Sequence, residues 1–488
     1  MIAALPTFWK HLLTVLGGSL AAQALPIAAA PFITRLCTPA ELGAFSVWFG
    51  VVAIAAVAAT LRLENAMVVD HARSRQRLGF DVVAWSAGWL AVLITAALAT
   101  ARLLGWTHMP WAGVLTSGVA AWLTATMQTT LAYAASHNAF APAARARIVA
   151  AGGVAGSQLA LLALVAWMLP QQAGGGTLAL LAGQLLGLGV GLYAARRWLR
   201  LPLRAVPGVR APASRAVQPV PLSVSVSVPV PVPVPVPASM PGLRASAFAL
   251  VRLLRLARRL MRRGPRALLP NAAQRRYLHR HRALWHFTLP SNLLNAAVGQ
   301  LPLLIIGARH GAMAAGLFAL TQRVLAAPIS LLAASVLEVF KRESVRQYQE
   351  LGNCRRAYVH ALRVLLALGI APALLLWIAA PALFGFAFGA DWRGAGELAQ
   401  MLAPLFFLNF VASPLSYVFF VAGRQKIELL WQVALFVVTL LAFAAPLTLA
   451  HNVLTYTIGY SLLYLVYLQL SYRYALNRPA GRRLHVAG

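Results

Sequence analysis

Few charged side chains in this 488-residue chain stand where a charge is costly, and those few carry most of its chemical information. The stretch "FALTQRVLAAP" at 318–328 sets Arg323 well inside an apolar run. An arginine facing lipid at that depth costs at least about 3 kcal/mol, so it must face water or a partner. Its planar fork matches phosphate oxygens two at a time. The functional expectation is a cation in a water-filled cavity that receives an anionic group. The structural expectation is a pair with Glu64 or Glu338. A second stretch, "LRLENAMVVD" at 61–70, places Arg62 and Glu64 at the end of another apolar run. They read either as a functional pair at membrane depth or as an exposed pair at a helix terminus. Glu64, Asp81 and Glu338 are the acids near apolar runs that could couple an ion. A gradient of H+ or Na+, or the membrane potential, is the expected driving force.

Other chemistry is missing from the sequence. No Gly-rich Walker loop, HExxH motif or Cys/His cluster occurs, so no metal site is expected. No paired carboxylates occupy the middle of a span. Two cysteines, Cys37 and Cys354, are too few for a disulfide scaffold. "TPAE" at 38–41 reads as a helix start: Thr38 as N-cap, Pro39 in the first turn, Glu41 reaching back.

The elements that must position these residues follow from composition. The chain is 60% hydrophobic and 11% charged, which is the balance of a polytopic membrane protein. Runs of about 20 apolar residues are long enough to cross a bilayer as helices. Twelve are expected: 12–34, 43–61, 81–103, 111–135, 148–169, 177–195, 287–307, 313–336, 359–388, 397–421, 427–446 and 452–472. The net charge of +32 could suggest nucleic acid, but the basic residues lie between the apolar runs, where they orient a membrane protein. One set of loops holds Lys10, Arg73, Arg75, Arg77, Arg145, Arg147, Lys341, Arg342, Arg424 and Lys426. The other holds little, such as Arg35 against Glu41. The positive-inside rule then puts both termini in the cytoplasm and Cys37 and Cys354 on opposite faces.

Residues 196–286 divide the runs six and six and carry 18 arginines with no acid. The expected organisation is 1–195 as a six-helix half, 196–286 as a cytoplasmic linker, 287–475 as a second six-helix half, and 476–488 as a basic tail. Within the linker, Arg252, Arg255, Arg259, Arg262 and Arg266 fall on one helical face, with leucines mostly opposite. This reads as a basic amphipathic helix on anionic lipids of the inner leaflet. The repeat "VPVPVPVPVP" removes every second backbone donor and reads as low complexity with a polyproline II rod.

Several stretches together resemble a known family. "AQALPIAAAPFITRLCTPAELGAFSVWFGVVAI" with "LRLENAMVV", then "LFALTQRVLAAPISLLAASVLEVF" and "FGADWRGAGELAQMLAPLFFLNFVASPLSYVFFVAGRQK", resemble bacterial polysaccharide biosynthesis proteins. These are the lipid-linked oligosaccharide flippases, O-antigen type included, of the multidrug/oligosaccharidyl-lipid/polysaccharide exporter superfamily. The resemblance implies an all-α integral membrane fold, with about twelve helices in two six-helix bundles around a cavity. It implies movement of an undecaprenyl-pyrophosphate-linked oligosaccharide across a bacterial inner membrane by alternating access. Arg35, Arg62 and Arg323 carry over as substrate-cavity cations and Glu64 as a companion. Asp391, Trp392 and Arg393 match an architectural turn. The pathway would serve O-antigen, capsule or exopolysaccharide, with a polysaccharide polymerase and a chain-length regulator as partners. The long linker departs from the family pattern.

Alternatives differ in what they need. A cation-coupled multidrug exporter of the same superfamily needs clear acids in its first-half cavity. A membrane glycosyltransferase or polymerase needs a sizeable outside loop or an acidic pair. An envelope-assembly scaffold would use the basic linker to recruit partners.

Overall fold

A computed structural model describes residues 7–70, 72–105, 107, 109–137, 139–168, 174–199, 270–282, 284–328 and 332–476. The basic amphipathic face at Arg252–Arg266, the Val-Pro repeat and the basic tail lie outside the described residues. Fifteen α-helices are described: α1 (Thr7–Leu36), α2 (Pro39–Thr60), α3 (Glu64–Val69), α4 (Arg73–Leu103), α5 (Trp111–Ser136), α6 (Phe140–Met168), α7 (Gly175–Leu199), α8 (Ala272–Arg280), α9 (Leu289–Pro328), α10 (Ala334–Leu351), α11 (Arg355–Phe388), α12 (Arg393–Leu415), α13 (Tyr417–Val421), α14 (Gln425–Ala444) and α15 (Leu449–Leu476).

Burial is that of a protein solvated by lipid. Phe386, Trp167 and Ile378 are 87%, 78% and 73% exposed, and many leucines accompany them. Exposed apolar area on this scale needs an apolar surrounding. Nine helical segments among the described residues are long and apolar enough to cross a membrane. One of them, Leu284–Ala327, holds the expected span 287–307 and most of 313–336, on either side of Gly311. Gly311 has φ +84° and ψ 175°, which a residue with a Cβ rarely adopts, and there α9 turns back on itself.

One expected run is not a single helix. The run 397–421 breaks at Ser416, between α12 and α13, just after Pro414.

Helix α2 is the element against which both legs of α9 pack. Its start is the expected capping box: the Glu41 N–H donates to Thr38 Oγ1 at 3.3 Å, and Glu41 Oε2 accepts from the Thr38 N–H at 3.0 Å. Small residues then let backbones meet. A Cβ added at Gly43 would lie 1.7 Å from the Ala312 carbonyl oxygen, and one at Gly316 would lie 1.8 Å from that of Pro39. Such contacts are the usual means of close association where lipid gives no hydrophobic drive between helices.

Candidate functional site

Polar ties join the segments before residue 200 to those after residue 270 at both ends of the α2–α9 contact. At the end near α1, the Trp392 indole Nε1 donates to the Thr34 carbonyl at 2.9 Å, and Trp392 is fully buried. The Asp391–Trp392–Arg393 turn is thus architectural, holding a short 3₁₀ segment against the end of α1. Glu41, beyond its capping role, accepts from the Gly176 N–H at 2.9 Å and ties α2 to α7.

At the opposite end, α2 stops in two strained residues. Leu61 and Arg62 have φ of +49° and +56°, a left-handed conformation that costs of order 1–3 kcal/mol per residue when the side chain is not glycine. The turn aims Arg62 back across the interface. Its Nη1 donates to Glu64 Oε1 at 3.1 Å, and its Nη2 donates to Asn292 Oδ1, on α9, at 2.7 Å. Asn292 Nδ2 is held in turn by the Thr288 carbonyl at 2.7 Å. Glu64 is buried at the start of α3, where the helix dipole favours its charge. Arg62 Nε and Glu64 Oε2 are buried with no hydrogen-bond partner among the described residues.

Beside this latch lies a second cluster that sequence spacing did not reveal. Asp70 is buried; its Oδ2 accepts from the Tyr277 hydroxyl at 3.2 Å and stands 3.2 Å from His281 Nε2. Tyr277 belongs to α8, so this contact docks the segment leading into α9 onto the α3–α4 turn. Burial, with the Asp70 carboxylate second, pushes the Tyr277 phenol well above its ordinary range. The partners are about 200 residues apart in sequence, beyond any local signal.

Arg323 lies on the second leg of α9, half-buried, with no hydrogen bond or ion pair among the described residues. Cys37, at the end of α1, lies near it. The structural pairings considered for it do not form. Glu64 is taken by Arg62, and Glu338 pairs with Lys341 at 2.8 Å on the half-exposed face of α10. Arg35 is exposed at the end of α1, and Asp81 is exposed in the third turn of α4. The structure therefore brings Arg62 and Glu64 together and leaves Arg35, Asp81, Glu338 and Arg323 apart from them. Cys37 and Cys354 are both buried and free, and burial pushes their thiols up to about 12 and about 11.

The geometry is that of a helical membrane protein with a cation on one interface helix that has no ion-pair partner among the described residues, and a strained charge latch at one end. No protein-family model matches the sequence, and no curated protein matches it. Solved structures do. An inward-facing multidrug resistance MATE family transporter of the MOP superfamily aligns with TM-score 0.59 at 15% identity, over 92% of this chain and 93% of that one. The lipid II flippase MurJ, in an inward closed conformation, aligns with TM-score 0.61 at 9% identity, over 95% and 87%. A MOP superfamily transporter from Pyrococcus furiosus, described by the reverse polarity of its binding pocket, aligns with TM-score 0.53 at 12% identity, over 95% and 94%. The chain has the all-α membrane fold of these solved transporters.

Proposed function

We propose that this chain is a lipid-linked oligosaccharide flippase of a bacterial inner membrane. It carries an undecaprenyl-pyrophosphate-linked glycan from the inner to the outer leaflet by alternating access, for surface polysaccharide assembly. The observation that carries this reading is Arg323: a cation on an interface helix, without a carboxylate to neutralise it among the described residues. A bound pyrophosphate would meet an arginine fork suited to bidentate contact. The Arg62–Glu64–Asn292 latch supports alternating access, because its orphaned Nε and Oε2 leave it with bonds to gain in another arrangement. The MurJ neighbour supports a lipid-borne substrate at the level of fold.

A multidrug exporter is favoured by the fold of the MATE neighbour alone. Organic cations would need an acid where Arg323 stands. Reconstituting the full chain with each substrate class separates the two. Movement of a short-chain polyprenyl-pyrophosphate glycan to the outer leaflet, without gradient-driven accumulation of a fluorescent organic cation, is the expected result. Cation accumulation without glycan movement would replace the flippase reading by the exporter.

A further inference from the structure

Helices α14 and α15 meet along a file of polar side chains that packing alone does not require. α14 contributes Glu428, Gln432 and Thr439, at helical steps of four and seven. α15 contributes Asn452, Tyr456, Tyr460, Tyr464 and Tyr467, all buried. At one end the Tyr467 hydroxyl donates to Glu428 Oε2 at 2.5 Å. Trp431 stacks on Tyr467 at 4.0 Å and lies 5.4 Å from Tyr464. Midway, the Thr439 and Tyr460 hydroxyls are 2.7 Å apart, and the Tyr456 and Tyr460 rings are 4.2 Å apart. At the other end Asn452 Nδ2 is 3.2 Å from His310 Nε2, on the first leg of α9. Arg309 caps α14 there, donating to the carbonyls of Phe443, Ala444 and Ala445.

Asn452 to Tyr467 spans fifteen residues, about 22 Å of helix, against a hydrocarbon core of about 30 Å. Phenylalanine would fill the same space without the cost of burying a hydroxyl. Each phenol and the threonine hydroxyl both donates and accepts, so each can pass a proton and end as it began. Two buried oxygens on the file, Gln432 Oε1 and Asn452 Oδ1, have no hydrogen-bond partner among the described residues. An ordinary interhelical glue would not leave acceptors spare at two points along one line.

We propose that this file is a proton path through the second half of the molecule, with Glu428 as the carboxyl that takes and releases the coupling proton and His310 as the group at its far end. For each turnover one proton enters at one end and one leaves at the other; only O–H and N–H bonds exchange. The groups facing Glu428 from α15 are Tyr464 and Tyr467, and α13 brings no charged side chain. Arg424 lies over the Tyr474 ring, 5.6 Å from its centroid. Near His310, Arg309 is engaged with carbonyls and His451 with Thr448. The proposal rests on the reading of the chain as a transporter, and it assigns coupling to Glu428 in place of Glu64, Asp81 or Glu338.

The test uses the full chain in liposomes holding a pH-sensitive dye, with an imposed pH gradient and a clamped membrane potential. Wild type is expected to carry a proton flux, which Glu428→Gln and Tyr460→Phe abolish and which Glu397→Gln, an exposed acid off the file, leaves intact. Tyr467→Phe keeps the ring stack and reports on the relay without loss of packing; it is expected to reduce the flux severalfold or more. Undiminished flux in Glu428→Gln, no flux in wild type, or radioactive sodium uptake lost in Glu428→Gln in place of proton flux would each overturn the proposal. The outcomes separate it from the flippase reading. Glycan flipping at one rate with and without the gradient sinks the proton path alone. Proton flux without glycan movement sinks the flippase reading alone.

Discussion

At the scale of single residues, the sharpest local feature is the strained turn that holds Arg62. Two left-handed, non-glycine residues in succession persist only when their surroundings over-determine them. Here the surroundings are Glu64 and Asn292. Removing the arginine leaves a buried carboxylate without its ion pair, which typically costs 3–5 kcal/mol. Removing Asn292 loses one hydrogen bond to a charged group, about 1.5–3 kcal/mol. Arg62→Ala should therefore lower the melting temperature of the detergent-solubilised protein more than Asn292→Ala does. Equal shifts would show that Glu64 is not held by Arg62. Sequence reading reached half of this. The Arg62–Glu64 pair lies within three residues and was legible; Asn292 is 230 positions from Arg62 and was not. The local capping of α2 was fully legible, since Thr38 and Glu41 need only each other.

At the scale of elements, the decisive contact is α2 against the two legs of α9. Gly43 and Gly316 meet opposing carbonyl oxygens, so a methyl at either position cannot be accommodated by moving a side chain. Gly316→Ala should destabilise the protein by several kcal/mol or force the helices apart, whereas Gly156→Ala, which meets nothing within 4 Å, should be neutral or slightly stabilising. Thermal unfolding of both variants checks this, and tolerance of Gly316→Ala would refute the close approach. The docking of α8 makes a pH prediction. The Tyr277 phenol is raised above its ordinary value of 10.0, so its contribution is fully present below about pH 10 and is lost as pH rises through the folded value. Limited proteolysis after α8 should speed up above pH 10 in wild type and lose that dependence in Tyr277→Phe. Hydrophobic runs disclosed where helices lie, but not the break at Ser416 just after Pro414. The tyrosines of α15 had a visible helical period; their meaning needed α14, whose register no run of residues encodes.

At the scale of the whole molecule, this is a helical membrane protein whose segments before 200 and after 270 meet along α2 and α9, with Arg323, unpaired among the described residues, on the second leg of α9. Deleting 221–237 should leave transport intact, and loss of transport with normal expression would show the Val-Pro repeat to be functional. In the proposed function Arg323 meets the anionic head of a lipid-linked substrate. The direct measurement is a leaflet assay: the purified full chain in vesicles, a lipid-linked glycan placed in one leaflet, and its appearance in the other followed over time. Wild type is expected to move the glycan, Arg323→Ala to lose that movement, and Arg323→Lys, which keeps the charge but not the fork, to retain a reduced rate. Normal flipping by Arg323→Ala would contradict it.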